Sequence, residues 1–182
     1  MPIVTPIVDP FFTPEEVSMI RGAVYKYCQV ERREAKKRVT YVARTGSRRR
    51  VCNEAELIVT VRRFDVAFER VTFDAASFER QVEVMVATDV LCSIHGAQLV
   101  NIVFLRPRSV VIELFNPFFF APFYGNVARK AGLRYYAVND TVVVNDVGRK
   151  ERETWWQPYL NSNINVKPDV LFSLLREVLC SV

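Results

Sequence analysis

Short apolar runs alternate along the chain with segments in which apolar side chains recur every three or four residues. The runs are rich in β-branched, aromatic and aliphatic residues, which predicts strands over residues 38–43, 67–73, 90–94, 109–114 and 132–138. Two of them, 90–94 and 109–114, are almost continuously apolar, as expected of strands buried on both faces. The helical spacing predicts helices over residues 13–28, 53–63, 77–89, 97–105 and 167–179.

Several of these helices carry recognisable start signals. Thr13 stands in the N-cap position before Pro14, and two acidic residues follow in the first turn. Asn53 is in the cap position of the second helix. Segment 97–105 is predicted to be helical because it joins two strands that we expect to be parallel, and such a crossover needs a helix.

The alternation of strands and helices predicts an α/β fold, a Rossmann-like parallel sheet with helices on both faces. The chain has 182 residues and is 50% hydrophobic, so we expect one domain over residues 1–182. Residues 1–12 are expected to be an extended linker, because three prolines interrupt them.

Open sheets of this class bind ligands at the carboxyl ends of their strands, and three features of the sequence fall at that edge. His95-Gly96-Ala97 follows one strand and opens a helix, which favours a phosphate. Glu113 lies near the end of the next strand, where a carboxylate can accept hydrogen bonds from ribose hydroxyls. The alternatives are a histidine with a structural role and a glutamate that reaches solvent. Together the features predict a nucleotide pocket.

Charge points to an anionic partner. The net charge is +5, and residues 32–50 contain nine basic residues against one acid, so the rest of the chain is acidic. Arg44 and the cluster Arg48, Arg49 and Arg50 follow the first strand, and guanidinium groups bind phosphate oxygens in bidentate fashion. The partner could be a nucleotide phosphate or a nucleic acid, and the alternative is a solvated loop.

Metal and membrane signals are weak. The four cysteines are far apart and there is a single histidine, so no metal site is expected. The amino-terminal residues have no basic segment of a signal peptide, and no apolar run reaches the roughly 18 residues that span a bilayer. Asn139 is a glycosylation candidate within Asn-Asp-Thr.

Four segments resemble glycosyltransferase family 61. HGAQLVNIVFLRPRSVVIEL (95–114) is similar to the family's His-Gly-Ala element with its following helix, turn and strand, and ARTGSRRRVCNEAEL (43–57) to its arginine-rich element. YGNVARKAGLRYYAV (124–138) and NSNINVKPDVLFSLL (161–175) resemble two further segments in the same order. The resemblance covers the chain from about residue 13 onward.

The resemblance implies the C-terminal, donor-binding half of an inverting GT-B glycosyltransferase. Members of the family transfer N-acetylglucosamine, xylose or arabinose from UDP-sugars to glycoproteins or polysaccharides in the endoplasmic reticulum or Golgi lumen. A UDP-sugar donor, preferably of N-acetylglucosamine, a glycoprotein or glycan acceptor and no cofactor are therefore expected. Family members are about twice as long and carry a membrane anchor, so we also expect a missing N-terminal half or a partner subunit.

The resemblance also assigns roles to individual residues. Arg44 and Arg49 would bind the donor diphosphate, with Arg48 an alternative to Arg44. Asn53 and Glu56 would order the loop and cap the following helix. His95, Gly96 and Ala97 would line the diphosphate and the sugar, and Glu113 the ribose; His95 and Arg49 are the expected catalytic residues.

Two other functions remain open from the sequence. One is a nucleotide-binding module without activity, and the other is a nucleic-acid-binding protein that uses the basic segment. For the FFF run (118–120) within the aromatic stretch FNPFFFAPFY (115–124) we favour an exposed interface over a packed loop.

Overall fold

The computed structural model describes residues 13–31, 36–145 and 157–180, together with the backbone of Ile3–Val4. Its helices are α1 (Pro14–Cys28), α2 (Glu54–Val61), α3 (Phe78–Ala87), α4 (Phe123–Lys130), α5 (Gln157–Asn161), α6 (Pro168–Cys180) and a 3-10 helix (Ala97–Phe104). Its strands are β1 (Ile3–Val4), β2 (Arg38–Val42), β3 (Ala67–Val71), β4 (Val90–Ile94), β5 (Val110–Leu114), β6 (Phe119–Phe120), β7 (Arg134–Val138), β8 (Thr141–Asn145) and β9 (Asn163–Val166).

The central sheet has five strands in the order β3-β2-β4-β5-β7, and every neighbouring pair is parallel. The chain first moves outward from β2 to β3 and then returns to build β4, β5 and β7 on the other side of β2. The order therefore reverses between β2 and β4, and in a doubly wound sheet a ligand binds at this switch point. The predicted α/β class and parallel sheet are confirmed.

Helices cover both faces of the sheet, as the sequence predicts. One core joins alternate residues of the sheet, such as Val39, Cys92 and Ile112, to α2 and α6. The second joins the intervening residues, such as Leu91 and Val111, to α1, α3, α4 and the 3-10 helix. Because side chains alternate across a strand, a five-residue strand such as β4 contributes to both cores, which is why all of its residues are buried.

The start of α1 follows the predicted signals. The Thr13 hydroxyl accepts a hydrogen bond from the backbone N–H of Glu16, and the Glu16 carboxylate accepts one from the backbone N–H of Thr13. This reciprocal arrangement is a capping box, and Pro14 occupies the first helical position. Ser77 caps α3 through the backbone N–H of Arg80.

Segment 97–105 is helical, but it winds as a 3-10 helix over Ala97–Phe104. Its backbone N–H groups reach back three residues, as in the bonds from Leu99 to Gly96 and from Leu105 to Ile102. A 3-10 helix rises about 2.0 Å per residue against about 1.5 Å for an α-helix, so eight residues cover about 16 Å of the sheet instead of about 12 Å. The short connection between β4 and β5 thus gains length by tighter winding.

Two small sheets lie outside the central one. β8 and β9 are antiparallel, and Ile164 of β9 also forms a parallel bridge with Val51. β1 pairs with β6, which places the strand Ile3–Val4 inside the predicted linker 1–12; the rest of that linker lies outside the described residues. Within the described ranges, no helix is long and apolar enough to cross a bilayer.

Candidate functional site

The loops after β2 and β4 meet at the switch point of the sheet. Val42 pairs with Ser93 near the ends of these neighbouring strands, so Arg44 and His95 follow at the same edge. Gln98 fastens the two strands there, because its amide donates to Ser93 Oγ at 2.7 Å and to the Val42 carbonyl at 3.4 Å. The predicted loop residues therefore lie where the fold class places a ligand.

Two guanidinium groups lie close to the backbone of Gly96 in this site. A β-carbon at Gly96 would lie 2.3 Å from Arg44 Nη1 and 3.9 Å from Arg49 Nη1. Arg48 is not among the atoms nearest to this position. The geometry thus brings together Arg44 and Arg49, the pair that the family resemblance favours.

The two guanidinium groups have no carboxylate partner among the described residues. Arg49 Nε is buried without a hydrogen-bond partner, although buried polar groups are almost always paired. Burial, together with the charge of Arg44, lowers the pKa of Arg49. Two adjacent cations without a counter-charge repel each other, and an anion placed between them relieves this repulsion.

The loop that carries Arg49 is held by the segment around β9. The backbone N–H of Arg49 donates to the Asn161 carbonyl at 3.3 Å, and that of Arg50 donates to Asn163 Oδ1 at 3.0 Å. The Asn163 amide in turn donates to the Ser47 carbonyl at 3.2 Å. Arg49 has a φ of 55°, a left-handed conformation that costs of the order of 1–3 kcal/mol in a residue other than glycine and is found most often at functional sites.

Asn53 orders the loop, as predicted, but it does so through β9 instead of capping α2. Its Nδ2 donates to the Val166 carbonyl at 2.8 Å and to Glu56 Oε2 at 3.0 Å, and its Oδ1 accepts from the backbone N–H of Val166 at 2.9 Å. No side-chain cap bond is made, because both polar ends of the amide are used across the chain. Asn53 is thus the N-cap residue of α2, as predicted, but its side chain does not make the capping bond.

His95 lies beside the arginines and is bonded to a buried carboxylate. Its Nδ1 is 2.5 Å from Glu113 Oε1, and the hydroxyl of Tyr135 donates to Glu113 Oε2 at 2.5 Å. Glu113 is 0% exposed. Both carboxylate oxygens are thus engaged inside the protein, and this geometry differs from the predicted carboxylate that faces a ribose.

Aromatic rings surround the His95 imidazole. It stacks on Phe115 with centroids 5.1 Å apart, and Phe119 and Tyr124 follow at 5.4 and 5.6 Å. Phe115 and Phe119 are buried, whereas Phe118 is 52% exposed. Within the run 118–120, the prediction of an exposed aromatic interface is therefore wrong for Phe119, which packs on the histidine, whereas Phe118 is exposed as predicted.

Tyr124 lies between the aromatic rings around His95 and the charged groups of Glu113, Arg49 and Arg44. Burial raises the pKa of Tyr124 to about 12, and the neighbouring charge of Glu113 acts in the same direction, against Arg49 and Arg44. The phenol is therefore neutral at physiological pH and acts as a hydrogen-bonding group.

The basic segment 32–50 does not form one surface. Within the described residues, Lys36 pairs with Asp65 and Arg38 with Glu69 at the amino end of β2, whereas Arg44 and Arg49 follow its carboxyl end. Arg32 and Arg33 lie outside the described residues. Because β2 separates the two groups, only the second contributes to the site.

Among the described residues, no group of three or more histidine, cysteine, aspartate and glutamate side chains is arranged to hold a metal ion. Asn139, the glycosylation candidate, is exposed between β7 and β8. Its glycosylation stays a prediction.

Comparison with known proteins identifies the family. The family model Glycosyltransferase 61 matches residues 2–112, which include β2 to β4, the arginine loop and the His95-Gly96-Ala97 turn. The chain belongs to the glycosyltransferase 61 family. The resemblance inferred from the motifs is confirmed.

Similar curated proteins are glycosyltransferases by name. The chain is 30% identical over 142 residues to EGF domain-specific O-linked N-acetylglucosamine transferase of Drosophila melanogaster, an alignment that covers 74% of the chain and 26% of that protein. It is 34% identical over 114 residues to protein O-linked-mannose beta-1,4-N-acetylglucosaminyltransferase 2 of Tetraodon nigroviridis, covering 59% of the chain and 20% of that protein. The chain thus spans about a quarter or less of the length of these relatives.

Several residues of this family 61 site carry no predicted role. Tyr124 and Tyr135 belong to the segment 124–138 that resembles the family, so its motif could have drawn attention to them. Asn161 and Asn163 belong to segment 161–175 in the same way. Phe115 and Phe119 have no such signal, because an aromatic run does not reveal which ring it contacts.

Proposed function

We propose that the chain is the donor-binding part of a glycosyltransferase that transfers a sugar from a UDP-sugar to a glycoprotein or glycan acceptor. One observation carries this proposal: Arg44 and Arg49 converge on Gly96 at the switch point, with no carboxylate partner among the described residues. Two guanidinium groups over a glycine match the size and charge of a diphosphate.

The diphosphate would lie between the arginines and the loop after β4. The backbone N–H of His95 donates to the Leu114 carbonyl, so Gly96 and Ala97 are the residues whose N–H groups would reach the phosphate oxygens. Because Gly96 has no side chain, the Arg44 guanidinium can lie against this backbone and hold an anion near these N–H groups.

The reaction would be a single displacement with inversion. The acceptor hydroxyl oxygen forms a bond to the anomeric carbon and loses its proton to a base, while the bond from that carbon to the diphosphate oxygen breaks and UDP takes the electron pair. Arg44 and Arg49 would stabilise the charge that develops on the leaving diphosphate. Since the two guanidinium groups supply this positive charge, we propose that donor binding needs no metal ion.

The names of the relatives support the choice of sugar. Both names describe a transferase of N-acetylglucosamine, so we propose N-acetylglucosamine as the sugar. We further propose a GT-B arrangement in which an N-terminal half or a partner subunit forms the second wall of the cleft, in the endoplasmic reticulum or Golgi lumen.

Calorimetric titration with UDP tests the donor site. We expect binding by the wild-type chain that persists in EDTA, and a loss of affinity of about tenfold to a hundredfold in Arg44→Ala and in Arg49→Ala, because a hydrogen bond to a charged group contributes about 1.5–3 kcal/mol. Arg176→Ala is the matched control, since it removes the same charge from an exposed position on α6.

Three outcomes would contradict parts of this proposal. Equal losses in Arg176→Ala and Arg49→Ala would mean that binding depends on net charge alone. Loss of binding in EDTA would show a metal requirement. UDP binding without transfer, even with the second wall supplied, would identify an inactive nucleotide-binding module.

The separation of the basic residues by β2 argues against the nucleic-acid alternative.

A further inference from the structure

Three side chains are linked by hydrogen bonds next to the site. The Tyr135 hydroxyl donates to Glu113 Oε2 at 2.5 Å, and Glu113 Oε1 lies 2.5 Å from His95 Nδ1. Glu113 is fully buried, and the His95 side chain is 16% exposed. Glu113 is therefore the enclosed member of the three, with the half-buried Tyr135 on one side and the half-buried His95 on the other, and the sequence has no other histidine.

The contacts of Glu113 bear on which imidazole nitrogen carries a proton. When the Glu113 carboxylate carries no proton it only accepts hydrogen bonds, and both Tyr135 O–H and His95 Nδ1–H then donate to it. Burial raises the pKa of Tyr135, with the charge and the hydrogen bond of Glu113 as further causes, so this phenol stays a donor. In a neutral imidazole with the proton on Nδ1, Nε2 carries the lone pair.

The surroundings keep this arrangement rigid. β5 and β7 are neighbours in the sheet, with Glu113 in register with Ala137. Helix α4 passes close to the Tyr135 ring because Gly125 has no side chain, and a β-carbon there would lie 3.1 Å from Tyr135 Cε1. No described residue hydrogen-bonds His95 Nε2, which is also not a buried unpaired atom.

We propose that Tyr135 is a positioning residue for His95 and acts through Glu113. By occupying Oε2, Tyr135 keeps Oε1 turned toward His95, which fixes the proton on Nδ1 and leaves the Nε2 lone pair to accept the proton of the acceptor hydroxyl. The hydroxyl oxygen then bonds to the anomeric carbon, the electron pair of the broken bond leaves with UDP, and buried Glu113 stabilises the imidazolium. This catalytic step rests on the proposed function; a buried carboxylate that fixes a histidine tautomer is also part of the serine protease triad.

Nitrogen NMR of the protein labelled in its single histidine tests the proposal without any activity measurement. At a pH where the imidazole is neutral, the wild-type chain should show a protonated Nδ1 and an unprotonated Nε2. A protonated Nε2 in the wild-type chain would overturn the proposal outright.

Variants separate the role of Tyr135 from that of a merely structural residue. In Glu113→Gln, Tyr135 O–H still donates to the amide oxygen, so the NH₂ group faces His95 Nδ1 and the proton should move to Nε2. In the double variant Glu113→Gln, Tyr135→Phe the amide is free to rotate, and we expect the Nδ1–H form to return in part. Identical spectra of the two variants would contradict a positioning role for Tyr135.

A control and a kinetic arm complete the experiment. Tyr136→Phe makes the same change one residue along β7, where the hydroxyl donates to Glu177 at 3.0 Å, and it should leave the histidine spectrum unchanged. In the complete enzyme, Tyr135→Phe should lower kcat about tenfold or more with little change in the donor KM. An unchanged kcat despite a shifted tautomer would remove the base role of His95. Calorimetric UDP binding, measured separately, reports whether the proposed donor site itself fails.

Discussion

At the residue scale, the site depends on one position that has no side chain. Gly96 has an extended backbone with φ 167°, a conformation that any residue adopts, so a glycine is not needed here for its backbone freedom. A glycine is needed because the Arg44 guanidinium occupies the volume that a β-carbon would fill. The Gly96 backbone and the Arg44 guanidinium therefore lie side by side, where both can contact one anion.

This geometry predicts the behaviour of Gly96→Ala. The new methyl group displaces the far end of a flexible arginine, so the free energy of unfolding should change by less than about 1 kcal/mol. UDP affinity should fall about tenfold, because Arg44 loses its place over the site. Calorimetry and urea unfolding measure the two quantities.

A double-mutant cycle provides the control for that steric explanation. In the Arg44→Ala background the guanidinium is absent, so adding Gly96→Ala should have little further effect on UDP affinity. An equal loss in both backgrounds would mean that the methyl group acts on the ligand directly and that Arg44 is not the group displaced.

At the scale of elements, the loop between β2 and α2, which carries Arg44 and Arg49, is held in place by hydrogen bonds to β9. Asn53 makes three hydrogen bonds, two to the backbone of Val166 and one to Glu56, and Asn163 ties the other end of the loop to Ser47 and Arg50. The loop is therefore held at both ends by a segment more than a hundred residues away in the sequence. This support allows Arg49 to keep its left-handed conformation.

Asn53→Asp should expose the importance of this contact. The substitution keeps the shape and the acceptor oxygen, but it removes both donated bonds and places a carboxylate against Glu56 and a carbonyl oxygen. We expect the free energy of unfolding to fall by about 1–3 kcal/mol, as measured by urea unfolding. Asn139→Asp, the same change at an exposed position, should be nearly neutral, and a comparable loss there would count against the explanation.

At the scale of the whole molecule, two hydrophobic cores enclose one parallel sheet, and phenol groups are buried in both. Tyr41 belongs to the core under α2 and α6, and Tyr124 to the core under α1, α3 and α4. Burial is the first cause of the raised pKa of each, about 12 for Tyr124. Ionising these groups therefore opposes the folded state.

This burial predicts a loss of stability in alkali. The unfolded chain ionises tyrosine at about pH 10, and a folded group with a raised pKa still binds its proton there, so the unfolded state binds fewer protons and stability falls as pH rises. The contribution of Tyr124 is complete below about pH 10 and is lost as pH approaches about 12. Urea unfolding between these pH values should show a shallower decline for Tyr124→Phe than for wild type.

The matched control for the alkaline experiment is Tyr27→Phe, at a position that is 72% exposed. It should decline with pH as the wild-type chain does. If Tyr27→Phe and Tyr124→Phe decline equally, ionisation of the buried phenol is not the cause.

Much of the fold and part of the site follow from the sequence alone, because those features are local. The apolar runs of β4 and β5, the capping signals Thr13 and Ser77, and the alternation of strands and helices depend on neighbours within a few residues. The carboxyl edge, with Arg44, the cluster Arg48–Arg50, His95 and Gly96, could be predicted because these residues follow strands, whereas Arg49 is singled out within its cluster by the family resemblance. In a parallel sheet those ends all lie on one side.

Only the tertiary structure decided which of these residues touch. Tyr135 reaches Glu113 across 22 residues and Asn53 reaches Val166 across 113, and no local pattern records such pairs. The same holds for the strand order around β2, for the packing of Phe115 and Phe119 on His95, and for the side chain of Asn53, which bonds β9 instead of capping α2. Periodicity specifies which face of an element is buried, whereas the choice among possible partners depends on the packing of the whole chain.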